Sequence, residues 1–164
     1  SMTSNEIFLR SAKGLLYLST FPVIFLSAMV WFSNNSIGII IAHCFQIYFC
    51  AFLSFISGYV WSLKKKKDDD SFWKSSTLFV SLLFLIIIIS LIIYAAFSPA
   101  WSIGFSFTCI FCLRHYRFSK NFKDLFPASL RELINKISVM LCICLMIMLA
   151  YWLNPYTEPL KQLL

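Results

Sequence analysis

Apolar and polar positions along the chain alternate in long blocks rather than residue by residue. A helix needs about 20 apolar residues to cross a hydrocarbon core. The apolar blocks at about 14–32, 37–63, 77–97, 99–113 and 133–153 therefore predict five transmembrane helices, of which 99–113 is the short one. The third block holds the unbroken run Leu85-Ile-Ile-Ile-Ile89. The expected fold class is an all-α polytopic membrane protein, a compact bundle of five transmembrane helices forming a single domain over 1–164.

The first block could be mistaken for a secretory signal. It is longer than a 7–15-residue h-region and no A-x-A-like site follows it, so it reads as a retained span. Ser1 ahead of Met2 resembles what tag removal leaves, and Met2 is read as the native start.

Charge adds a direction. Thirteen of the 14 Lys and Arg side chains fall before the first block, between the second and third, between the fourth and fifth or, for Lys136, in the first turn of the fifth. The membrane-surface basic residues are Lys64, Lys65, Lys66, Lys67, Arg114, Arg117 and Arg131. The positive-inside rule then puts the N-terminus in the cytoplasm and the C-terminus outside. Asp68, Asp69 and Asp70 do not disturb this, because acidic residues contribute little to orientation. In 118–126, Phe118, Phe122, Leu125 and Phe126 recur at helical spacing around Lys120 and Lys123, a short pattern able to lie on the membrane surface.

Composition agrees: 60% of residues are hydrophobic and 13% charged, against roughly 45–50% and 25% in soluble domains. The net charge of +7 lies in blocks between apolar segments and makes no basic face, which speaks against a nucleic-acid partner. The abundance of Ile, Phe, Lys and Asn suits an AT-rich genome, and the expected location is a bacterial inner membrane.

The second span differs from the others. His43, Gln46, Cys50, Ser54, Ser57, Gly58 and Trp61 recur at steps that place them on one helical stripe. A polar stripe should face the bundle rather than lipid. Ser54 and Gly58, with Ser57, form a small-residue seam that admits a neighbouring backbone, and Pro22 of the first span adds a break in the helical ladder. A second reading makes His43, Gln46, Cys50, Ser54 and Trp61 a ligand site. Ser90 and Tyr94, four apart in the third span, are expected to hydrogen-bond within or between helices. Trp31, Trp101 and Trp152 fall near one boundary and Trp61 and Trp73 near the other, as an aromatic belt would.

Catalytic signatures are missing: no G-x-S-x-G, H-E-x-x-H, P-loop or Gly-rich phosphate cradle occurs. No cofactor is implied. Cys109-x-x-Cys112 is a single pair, too few for a closed zinc site, and His115 three residues on is the only candidate to extend it. The six cysteines all fall in apolar blocks, as small apolar side chains do.

The stretch Tyr48-Phe-Cys-Ala-Phe-Leu-Ser-Phe-Ile-Ser-Gly-Tyr-Val-Trp61 resembles a family of bacterial inner-membrane proteins related to the mitochondrial transmembrane protein 69. A helix of that family reads roughly Y-G-A-x-x-L-S-F-x-G-G-x-H-W. Tyr48, Ala51 (shifted by one), Leu53, Ser54, Phe55, Gly58 and Trp61 echo it. The family's histidine falls on Val60 here, and the first of its paired glycines on Ser57. The resemblance implies a five-span membrane domain and adds little on activity.

Two functional expectations follow. The first is a non-enzymatic accessory or scaffold protein that binds membrane partners or lipid. The alternative is a binder or transporter of an apolar small molecule, a quinone or a lipid, on the stripe of the second span. A thiol enzyme at Cys109 and Cys112 is a third class.

Overall fold

The computed structural model describes residues 4–62, 70–115, 128–156 and 158–162. Its elements are α1 (Ser4–Phe32), α2 (Asn35–Ser62), α3 (Asp70–Ala96), α4 (Pro99–Arg114), α5 (Ala128–Trp152) and the single turn α6 (Pro159–Gln162). Every element among the described residues is helical. α1, α2, α3 and α5 are each long and apolar enough to cross a membrane. α4 has 16 residues, about 24 Å of helix at 1.5 Å per residue, against a hydrocarbon core of roughly 30 Å.

α1, α3 and α5 begin ahead of the apolar blocks at 14, 77 and 133. Neither Gly nor Pro interrupts 4–13, 70–76 or 128–132, so the backbone ladder continues past the apolar limit. Sharp stops come where capping chemistry supplies them. The Asn34 side chain accepts from the Ile37 amide at 3.1 Å and starts α2 after a two-residue link. Ser98 caps α4 by accepting from the Trp101 amide at 3.4 Å, with Pro99 at the first helical position, where its missing N–H costs nothing.

The helices close a ring: α1 packs on α2, α2 on α3, α3 on α4, α4 on α5, and α5 back on α1. The inward stripe of α1 is Ala12, Leu16, Thr20, Val23, Ser27 and Val30, one residue every three or four. Leu133, Ile137, Leu141, Leu145 and Met148 make the matching stripe of α5.

Outside the ring the order is inverted from that of a soluble protein. Leu18, Phe21, Ile40, Ile47 and Ile92 are exposed, while Gln46, Ser57, Ser90, Ser102 and Ser106 are at most 2% exposed. Water would penalise such a surface; hydrocarbon does not, and there the polar groups belong inside. The protein is accordingly an integral membrane protein.

Two expectations change. Trp152 is 1% exposed and sits in the core among Tyr151 and His43, not in an aromatic belt. Trp31 and Trp101 do face outward. Among the described residues the Ser54–Gly58 face meets no other helix: both residues are exposed, and a Cβ on Gly58 would touch nothing within 4 Å. The cause is the bulk of Phe45, Phe49, Phe52, Leu53 and Ile56, which turn inward and fill the ring from α2. The close approach falls instead at Gly38, where a Cβ would stand 2.7 Å from the Tyr151 hydroxyl of α5.

Pro22 lies half-buried inside α1, which runs on through it. A proline at this position leaves the Leu18 carbonyl without its ladder donor. At the next residue the Tyr48 hydroxyl of α2 donates to the Ser19 carbonyl at 2.6 Å. The neighbouring helix thus supplies a donor beside the gap in the ladder.

Candidate functional site

The stripe predicted on α2 divides into three parts. Gln46, Cys50 and Ser57 are buried, His43 is half-buried, and Ser54, Gly58 and Trp61 face outward. Ser54 and Ser57 satisfy themselves by donating to the carbonyls of Cys50 and Leu53, one turn back on their own helix.

The buried part joins three helices. Gln46 Nε2 donates to Ser90 Oγ of α3 (3.2 Å), to Ser102 Oγ of α4 (3.4 Å) and, more weakly, to Cys50 Sγ (3.8 Å). Ser90 Oγ also lies 2.8 Å from Ser102 Oγ and 2.9 Å from Ser106 Oγ. The Ser102 hydroxyl donates to the Ser90 carbonyl at 2.7 Å. The protons then balance. Ser106 and Gln46 donate to Ser90, Ser90 donates to Ser102, and Ser102 donates to the backbone. Gln46 Oε1 alone is buried without a partner in this cluster.

One turn before Gln46, His43 Nδ1 is bonded to the Tyr94 hydroxyl of α3. The imidazole also stands edge-on to the Tyr94 ring, at 5.6 Å between centroids, and 6.1 Å from Trp152. Ser90 and Tyr94 therefore both bond between helices, to different residues of α2. Ser102 and Ser106 were not singled out from sequence, although two serines four apart in a short apolar helix mark one face. His43, Gln46 and Cys50 are thus held in a seam that ties α2, α3 and α4 together.

The cavity is elsewhere. It has a volume of about 360 Å³ and opens between α2, α3, α4 and α5, toward the end where α3 and α5 begin. Leu53, Ile56, Leu83, Ile110, Ile137 and Leu141 form its apolar wall. None of His43, Gln46, Cys50, Ser54 or Trp61 lines it. Its polar residues are Arg114, Arg131, Asn135 and Ser138. Arg114 Nε donates to Ser138 Oγ at 3.1 Å and Nη2 to Asn135 Oδ1 at 2.9 Å, so α4 is clasped to α5. Sequence reasoning placed Arg114 and Arg131 at the membrane surface but missed Asn135 and Ser138. Their steps of four and three from Arg131 were the available signal.

Lys64, Lys65, Lys66, Lys67 and Arg117 lie outside the described residues, as does the amphipathic stretch 118–126. Cys109 is half-buried, Cys112 and His115 are exposed, and none of the six cysteines forms a disulfide. Among the described residues no three His, Cys, Asp or Glu side chains gather as a metal site. Compared with known protein families, curated proteins and solved structures, the chain matches none of them.

Proposed function

We propose that the chain is a five-span protein of the bacterial inner membrane, N-terminus inside and C-terminus outside, that acts without catalysis by holding a lipid between α2, α3, α4 and α5. The observation that carries this reading is the cavity. Its wall is apolar and a few polar groups converge at its mouth, the usual form of a small-molecule site. In a bilayer the apolar compound at highest concentration is lipid. The short α4 counts as a span in this reading, because the described ends of α3 and α5 otherwise fall on the wrong sides for alternation. A kinship with the family of transmembrane protein 69 fits the same five helices, and Tyr48–Trp61 is its support.

The alternative ligand site at His43 and Gln46 has less support. Tyr94 engages His43 Nδ1, Ser90 and Ser102 engage Gln46 Nε2, and Gln46 and Cys50 are buried among neighbours.

Native mass spectrometry of protein gently extracted from its own membrane tests the reading. Lipid retained at one copy per chain, and lost in Leu83→Trp, is the expected result. Bare protein under conditions that preserve the fold would overturn it. Alkaline phosphatase fused after Leu164 is expected to be active; an inactive fusion would reverse the orientation.

A further inference from the structure

We propose that Arg114 is the headgroup seat of an anionic phospholipid whose acyl chain lies in the cavity, with the phosphate on the outer edge of the guanidinium. This rests on the cavity being a lipid site and adds which lipid it selects.

The guanidinium carries five N–H donors in a rigid fork. Its bonds to Ser138 Oγ and Asn135 Oδ1 occupy the Nε/Nη2 edge. Ser138 donates its own proton to the Asn135 carbonyl at 2.8 Å, which turns its oxygen lone pairs toward Arg114. The plane of the arginine is therefore held by α5 while its stem rises from α4. Among the described residues this leaves the Nη1/Nη2 edge for a ligand, and that edge pairs with phosphate through two parallel hydrogen bonds.

The surroundings fit a negative headgroup. Arg131 lines the same cavity, one turn before Asn135, and among the described residues no Asp or Glu lines it. The nearby Glu132 is engaged outside, with Lys136 at 3.3 Å. Beyond the clasp of Arg114 with Asn135 and Ser138 the wall is apolar, with Ile137 and Leu141 of α5 facing Leu53, Ile56, Leu83 and Ile110. A charged end followed by an apolar slot is the shape of an amphiphile. Inorganic phosphate would leave the slot unfilled, and a neutral quinone would leave the outer edge of the Arg114 guanidinium unused.

The test is native mass spectrometry of the full chain in neutral detergent. Phosphatidylglycerol and phosphatidylcholine with identical acyl chains are added in equal amounts. Both lipids offer a phosphate to Arg114, but phosphatidylcholine also brings a choline cation beside Arg114 and Arg131, so phosphatidylglycerol is expected to be retained about tenfold better. Arg114→Gln should remove most of that preference. Leu83→Trp, which fills the slot and leaves the arginines alone, should expel both lipids. Arg131→Gln should weaken phosphatidylglycerol about fivefold while keeping the Asn135–Ser138 clasp, so the proposal stays testable if Arg114→Gln fails to fold. Equal retention of both lipids by the unaltered protein would overturn the headgroup assignment and leave the lipid site standing. Retention of neither would overturn both. Displacement of phosphatidylglycerol by millimolar inorganic phosphate would make the site one for a free anion and overturn the proposal.

Discussion

Ser90 and Gln46 belong to one buried cluster but should respond in opposite ways to losing their polar atoms. Ser90 Oγ is the hub, within 3.2 Å of Gln46 Nε2, Ser102 Oγ and Ser106 Oγ. Ser90→Ala removes all three bonds and takes from Gln46 Nε2 and the Ser106 hydroxyl the acceptor they share inside the bundle. At about 0.6 kcal/mol for an average interhelical bond in a membrane, the loss is about 2 kcal/mol. Gln46→Met removes donors to Ser90, Ser102 and Cys50, worth a similar sum. It also removes Oε1, which is buried without a partner and costs about 1–3 kcal/mol where it stands. The two terms offset, and methionine keeps the unbranched shape. Gln46→Met should therefore stay within about 1 kcal/mol of the parent. Unfolding in mixed micelles reads both variants; in thermal scans they separate by several degrees, at about 2–4 °C per kcal/mol for a chain of this size. A Gln46→Met variant as unstable as Ser90→Ala would refute the reasoning. It would mean that Oε1 has a partner, and the seam would become a ligand site after all.

Gly38→Ala should destabilise the bundle by about 1–3 kcal/mol, because its Cβ would meet the Tyr151 hydroxyl; adding Tyr151→Phe should recover part of this, and a lack of coupling in the double mutant would count against the contact. Tyr48→Phe should cost about 0.6–1.7 kcal/mol by removing the donor to the Ser19 carbonyl, as measured by denaturation in micelles; an unchanged midpoint would show that this carbonyl needs no help. Gly58→Ala should leave stability unchanged or raise it by up to about 1 kcal/mol through helix propensity, and a marked loss would place another helix on that outward face.

The spans were readable because hydropathy reports what a segment is embedded in. Which face turns inward was not, and α2 shows why. In a membrane, lipid is as apolar as leucine, so bulk gives no direction. Phe45, Phe49 and Phe52 fill the ring while Ile47 and Phe55 face outward, with nothing in their chemistry to separate them. Ser54 belonged to the stripe by spacing yet faces outward, because a serine can bond to its own helix. Gln46 cannot hide its amide so cheaply, and its inward placement was legible. The cavity was beyond reach for a different reason. It arises between four helices, and no single segment records the gap. Its polar rim was partly visible, since Arg131, Asn135 and Ser138 share one face of α5.

The bond from Tyr48 to the Ser19 carbonyl also has a consequence in time. α1 carries the gap made by Pro22, and a bilayer offers no water to fill it. The donor beside that gap lies on α2, joined to α1 by only Ser33 and Asn34. No residue of α3, α4 or α5 takes part. As the chain leaves the ribosome and enters the membrane, this donor reaches the Pro22 region of α1 as soon as its immediate successor folds back on it. The pairing of α1 with α2 around Pro22 thus needs none of the later helices.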